Sequence, residues 1–275
     1  MRQFNEEEKK LVTQVLPAVA QELRGAMTNI YIAAGRLAPV EVRERDETVD
    51  RNAAILAQSF YRMNRMVGNL SEAAELASDT LYDTRANDDI VGLARSVCER
   101  AESLFEDEDV TLCFESDSMS TIILMDAVRI ERLLLNLLSN ALKFTPKGGM
   151  VTVRLRKTER GVRLSVSDTG CGIPAGELET VFERFLDGDP FRIPPRSLGL
   201  GLAICRRIAQ GHGGSIVVES REDEGTCFTV FLPNRRDDIA IVRQPRTEYH
   251  GGFNQTVLEL SDALGVNAFL CRMMD

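Results

Sequence analysis

The chain has no tryptophan, only two histidines, and no apolar run approaching the roughly 18 residues of a membrane-spanning helix. So few histidines, with six cysteines that form no C-x-x-C pair, argue against a metal centre of soft ligands. Basic residues are outnumbered 42 to 33, giving a net charge of −9. That balance disfavours non-specific binding to nucleic acid or to an anionic membrane surface. No leader-like segment is evident, so the expectation is a cytoplasmic protein with reduced thiols and no membrane-spanning segment. Internal repeats and low-complexity segments are missing as well. What is present is a 44% hydrophobic fraction over 275 residues, enough for one large or two modest cored domains.

The most informative stretch runs from Arg129 to Gly149. Ile130, Leu133, Leu134, Leu137, Leu138 and Leu142 recur at three- and four-residue steps, the period of a helix with a buried stripe. Asn136, Asn140 and Lys143 share another face. Two carboxamides and an ammonium there suit a hydrated cation and phosphate oxygens, although taken alone a solvated polar face explains them equally well. Pro146 and Gly148-Gly149 stop the helix.

Two later stretches shift that balance. Asp168-Thr169-Gly170-Cys171-Gly172-Ile173-Pro174 follows an alternating run, Val162, Leu164 and Val166, and Gly199-Leu200-Gly201-Leu202 opens a second helical pattern. With the F-E-R-F segment at Phe182 to Phe185, these motifs resemble the ATP-binding domain of sensor histidine kinases. The larger group also holds gyrase, the ninety-kilodalton heat-shock chaperone and mismatch-repair ATPases. The resemblance covers about Asp83 to Asn234.

Ahead of that region, residues 5 to 37 and 49 to 77 carry heptad seams. One comprises Val12, Leu16, Val19, Leu23, Ala26, Ile30, Ala33 and Leu37. The other comprises Val49, Ala53, Leu56, Phe60, Met63, Val67, Leu70, Ala74 and Ala77. Ala38-Pro39 marks the turn, and Pro17 predicts a kink or a fresh helix start. Two narrow seams bury little alone, so the expectation is a homodimer forming a coiled-coil-like four-helix bundle. Residues 78 to 88 read as a linker. Strands are expected at 110–115, 121–124, 151–156, 162–167, 216–219 and 226–232, with a further helix at 89–105. The fold class is therefore α+β: a helical hairpin over 1–80, an α/β sandwich with a mixed sheet over 81–236, and an extension over 237–275. In the extension, Val257, Leu260 and Leu264 suggest a short helix packed on the preceding domain, with a partner-binding segment as the alternative.

A buried carboxylate suits the exocyclic amine of adenine, which places Asp168 at the base. Gly170 and Gly172 then let the backbone approach without a Cβ clash. By resemblance, Asn140 is the Mg²⁺ ligand, Asn136 the position one turn earlier, and Lys143 a point charge on phosphate. Gly199 and Gly201 offer backbone N–H groups at a helix start. Leu200, Leu202, Ile173 and Phe185 complete the nucleotide set that the resemblance implies. Residues 186 to 198 correspond to the lid, where Ser197 stands in place of a further glycine. An amide at Asn136, where related hydrolases carry Glu, disfavours fast ATP hydrolysis.

One departure stands out. The family's acceptor motif resembles Ala20-Gln21-Glu22-Leu23-Arg24, but the acceptor His is Gln21 here, and Ala26 replaces a proline. A delocalised amide nitrogen cannot attack phosphorus. By resemblance, Glu22 sits where a residue assists the neighbouring imidazole. His212 matches a position inside the ATP-binding domain and His250 lies in the extension, so neither substitutes for the acceptor. The expected function is an ATP-binding, histidine-kinase-type protein of a two-component-like phosphorelay that does not autophosphorylate in the usual way. A response-regulator receiver domain is the implied partner. The rival readings are a nucleotide-sensing pseudokinase scaffold and a serine kinase of the anti-sigma type.

Overall fold

The computed structural model describes residues 15–77, 85–182, 200–234 and 253–271. The chain divides into two units: Met1–Tyr82 together with Leu264–Asp275, and Asp83–Ala263. The described part of the extension, 253–271, is divided between these two units at Ala263–Leu264.

The first unit is a helical hairpin. Helix α1 spans Leu16–Leu37 with Pro17 in its first turn, where the missing N–H costs nothing. A one-turn helix, α2 (Val40–Arg43), follows Pro39 and leads into the long α3 (Glu47–Ala77). Asp46 caps α3 by accepting from the N–H groups of Thr48 and Val49. Tyr31 stacks on Phe60 with ring centroids 4.3 Å apart, and its edge meets Tyr61 at 6.2 Å.

The heptad seam read for α1 is not the stripe the hairpin buries. Val19, Leu23, Ile30 and Leu37 are exposed, Ile30 by 62%, whereas Ala20 and Met27 are buried. On α3 the seam splits: Phe60 and Val67 are buried, Leu56 and Met63 exposed. Each helix carries two apolar stripes, and periodicity alone does not say which one meets its sequence neighbour. The outer stripe, joined by Ile55 and Met66, is not covered by the described residues.

The second unit is an α/β sandwich. Strand β1 (Ala86–Asp89) pairs antiparallel with β3 (Ile122–Met125). Strands β2 (Thr111–Ser116), β4 (Met150–Lys157), β5 (Gly161–Asp168), β6 (Ser215–Arg221) and β7 (Gly225–Pro233) form a sheet in the order β2-β4-β5-β7-β6. Only β2–β4 is parallel; the other pairings are antiparallel, so the sheet is mixed. Val151, Val153 and Leu155 of β4, Val162, Leu164 and Val166 of β5, and Phe228, Val230 and Leu232 of β7 are buried. That is the period-two signature of one covered face. Helices α4 (Ile90–Asp107), α5 (Ala127–Phe144) and α7 (Leu200–Gly211) pack on the sheet. A single turn, α6 (Ala175–Leu178), lies between β5 and α7.

Strand β1 overlaps the end of the stretch read as linker, residues 86–88. Its sequence, Ala-Asn-Asp-Asp, has little strand propensity, and the pairing Ala86↔Met125 through Asp89↔Ile122 holds it extended. Asp89 then caps α4 and also accepts from the Thr121 N–H at 2.8 Å.

Candidate functional site

Helix α5 is the site's backbone. Asp126 caps it, accepting from the Arg129 N–H. All six residues of the expected stripe are buried, but so are Leu135, Asn136 and Ser139. Asn136 is only 1% exposed, which makes it an interior carboxamide rather than part of a solvated face. A polar group so placed is costly unless it has a purpose or a partner. Asn140 and Lys143, one and two turns on, are half-buried. The Lys143 ammonium lies 5.4 Å from the centre of the Phe144 ring.

The second wall is the loop after β5. Asp168 Oδ1 accepts from the N–H groups of Gly170 (2.9 Å) and Thr226 (3.2 Å). Oδ2 takes no hydrogen bond among the described residues, so one oxygen holds the loop and the other can meet a ligand. Burial pushes the Asp168 carboxyl above its ordinary pKa, with the two backbone bonds pulling the other way.

Close packing explains both glycines. A Cβ at Gly170 would lie 2.5 Å from the Phe144 carbonyl at the end of α5. Gly172 has φ +70°, and a Cβ there would lie 2.0 Å from the Arg221 carbonyl. The loop is thus clamped between α5 and the β6–β7 hairpin. Cys171 donates its N–H to the Phe144 carbonyl while its thiol side stays exposed. Ile173 donates its N–H to Ser220 Oγ at 2.8 Å, and Ser220 in turn donates to the Gly225 carbonyl.

The third wall is the start of α7. A Cβ on Gly201 would sit 3.3 Å from Asn136 Oδ1, so the first turn of α7 lies directly against the buried amide. Leu200 is buried beside it and Leu202 half-buried. The structure therefore brings Asn136 and Gly201 together, and clamps the Asp168–Ile173 loop to the end of the same α5. Gly199, Phe185 and residues 186–198 lie outside the described residues. Phe182 does not: its ring meets Phe228 edge-on at 6.1 Å. Glu22 and Gln21 belong to the hairpin, both exposed on α1.

Sequence reasoning missed the supports. Thr226 and Ser220 hold the loop, and no motif announces them. His212 was passed over as a domain residue, yet its ring ties the end of α7 to the start of α5.

Residues 125–236 match the family described as Histidine kinase-, DNA gyrase B-, and HSP90-like ATPase. The chain carries a sensor-histidine-kinase ATP-binding domain. It is 30% identical over 230 residues to the adaptive-response sensory kinase SasA of Rippkaea orientalis, covering 79% of this chain and 57% of that protein. To SasA of Synechococcus sp. (strain CC9311) it is 31% identical, covering 80% and 56%. The chain thus spans little more than half the length of these curated relatives. Among solved structures it resembles full-length ShkA in complex with AMPPNP (TM-score 0.64, 26% identity, 82% of this chain and 46% of that one). It also resembles the histidine kinase ThkA in complex with the response regulator protein TrrA (TM-score 0.56, 26% identity, 83% and 65%).

The residues present fit a nucleotide. A buried carboxylate has one oxygen to spare, and a buried amide faces a helix start. Among the described residues no helix is long and apolar enough to cross a membrane.

Proposed function

We propose that this chain is a dimeric, Mg·ATP-dependent signalling protein of the histidine-kinase type whose own hairpin cannot accept phosphate. The observation that carries the reading is the packing of Asn136 against the start of α7 and of the Asp168 loop against the end of α5, together with an exposed Gln21 on α1. In the site, Asp168 Oδ2 takes the adenine amine, and Gly170, Gly172 and Ile173 line the base. Asn140, with Asn136 behind it, holds the metal, and Lys143 neutralises phosphate charge. The start of α7 at Leu200–Leu202 gives N–H groups to the same phosphates, with Gly199 and Phe185 completing the set.

Bound Mg·ATP supplies a transferable phosphoryl group, and the chain's residues orient it. At position 21 a carboxamide offers no nucleophilic lone pair, so phosphate goes to a side chain on another protein. A receiver-domain protein is the proposed recipient or docking partner, an idea supported by the likeness to ThkA, whose solved complex holds TrrA. Glu22 stays beside the altered position, ready to polarise an imidazole there. The outer apolar stripes of α1 and α3 fit a second copy of the hairpin.

The test is incubation with γ-labelled ATP. Wild type should bind Mg·ATP and gain no acid-labile label. Gln21→His should gain acid-labile, base-stable label, and Asn140→Ala in that background should abolish it. Acid-labile phosphate on the wild-type hairpin would overturn the reading. A silent Gln21→His that still binds ATP would favour a nucleotide-sensing scaffold instead.

A further inference from the structure

Three polar side chains stand in one cross-strand row beside the Asp168 loop. The register pairs Asp168 of β5 with Thr226 of β7, and Thr226 with Ser220 of β6. Val166 and Phe228, two positions from Asp168 and Thr226 along their strands, are buried. Residues two apart share a face, so the row Ser220–Thr226–Asp168 belongs to the face that the helices cover.

The bonds along this row fix where each hydroxyl proton goes. Ser220 Oγ accepts from the Ile173 N–H at 2.8 Å. It lies 2.8 Å from the Gly225 carbonyl and 2.9 Å from Thr226 Oγ1. A carbonyl can only accept, so the single Ser220 proton goes to Gly225. The proton between the two hydroxyls then comes from Thr226, which donates to Ser220 Oγ. Thr226 is only 8% exposed, so its hydroxyl has little water to turn to instead.

This arrangement has a consequence for the base. A free threonine hydroxyl rotates to suit its neighbour, donating to a carbonyl as readily as it accepts from an amine. Here the proton is committed to Ser220, and Thr226 Oγ1 keeps only lone pairs for a ligand. Its cross-strand neighbour Asp168 is an acceptor too. Two acceptors side by side suit an exocyclic amine, which brings two protons, and oppose a carbonyl in the same place.

We propose that Ser220 is a specificity-determining positioning residue: by taking the Thr226 proton it makes Thr226 an obligate acceptor, and the site thereby selects a 6-amino purine nucleotide over a 6-oxo one. The proposal rests on the nucleotide reading above and adds to it the residue that sets base choice. Ser220 acts through Thr226.

The experiment is calorimetric titration of the full chain with Mg·ATP and with Mg·ITP, in which a carbonyl replaces the amine. Wild type should prefer ATP. Ser220→Ala frees the Thr226 proton to meet that carbonyl, so the ratio of ATP to ITP affinity should fall about tenfold. In a Thr226→Val background, Ser220→Ala should leave the ratio as it is, because the hydroxyl it acts through is gone. A serine that only braced the loop would, when removed, weaken both nucleotides by one factor. An unchanged ratio in Ser220→Ala therefore overturns the proposal. Should Ser220→Ala not fold, Thr226→Val alone decides: it removes one acceptor, so its ratio should fall below that of wild type, and equality overturns the idea. Wild type that binds neither nucleotide sinks the nucleotide reading and this proposal with it. Wild type that binds ATP, with a ratio these substitutions do not move, sinks this proposal alone.

Discussion

Asp126 and His212 are joined across the ends of two helices: the Asp126 backbone N–H donates to His212 Nε2 at 3.0 Å. The other ring nitrogen, Nδ1, then carries the proton and donates to the Ile208 carbonyl at 2.8 Å. The Asp126 bond needs the neutral imidazole, because a proton on Nε2 would oppose the Asp126 donor.

A pH dependence of stability is the first consequence. Burial holds the His212 pKa below its ordinary 6.5, offset in part by the Ile208 bond and by Asp126, and reinforced by Arg85 and Arg129. The unfolded chain therefore takes up this proton at a pH where the folded chain does not. Stability should fall as pH drops below 6.5, with a slope of at most about 1.4 kcal/mol per pH unit from this group. Urea midpoints measured from pH 7.5 to 5 should show the decline, and His212→Gln should flatten it.

Asp168→Asn should separate binding from stability. The amide oxygen can still accept from Gly170 and Thr226, while the oxygen proposed to meet adenine is replaced by an NH2 donor. ATP affinity should fall on the order of tenfold or more by calorimetry. A carboxyl whose pKa is raised by burial stabilises the fold below its ordinary value of 3.8, and that contribution is lost as pH rises through the raised value. At neutral pH the carboxylate is thus a burden on the fold, and the ligand-free variant should melt above wild type. An unchanged ATP affinity would remove the adenine assignment.

Gly172→Ala and Gly176→Ala make a matched pair. The first puts a side chain at φ +70° and 2.0 Å from a carbonyl; the second meets nothing within 4 Å. Gly172→Ala should cost about 1–3 kcal/mol and weaken nucleotide binding, whereas Gly176→Ala should leave both nearly unchanged. Thermal melts with and without ATP distinguish them.

Leu23→Asp tests assembly. Leu23 lies in the exposed stripe of α1, and a charge buried there between two copies would have no partner. Sedimentation should find wild type dimeric at micromolar concentration and the variant's dissociation constant raised at least tenfold. A monomeric wild type would refute the bundle.

Much of the ATP-binding unit was legible because its signals are local. The Leu133 to Leu142 period and the alternation of Val162, Leu164 and Val166 each mark the residues that the structure buries. Asn136 was legible as a residue but not as a buried one; that needed α7, brought against it by the chain's return. The hairpin was harder. Its heptads are present, but Ala20 and Tyr31 face inward where Leu23 and Ile30 were expected. Strand β1 escaped notice because the hydrogen bonds of Ile122–Met125 make it a strand, not its own Asn and Asp residues. The end of the extension escaped for a related reason: its carbonyls are captured by Arg43 and Gln58, more than 200 positions away in sequence.

Cys171 sits in the clamped loop between the two glycines, its backbone tied to Phe144 and its side chain exposed, while Cys98, Cys205 and Cys271 are buried. The protein thus carries a native labelling handle at the loop proposed to line the nucleotide. A thiol-reactive dye should find Cys171 ahead of those three, and the speed of its attachment would report occupancy of the site in real time, without a radioactive substrate or an engineered residue.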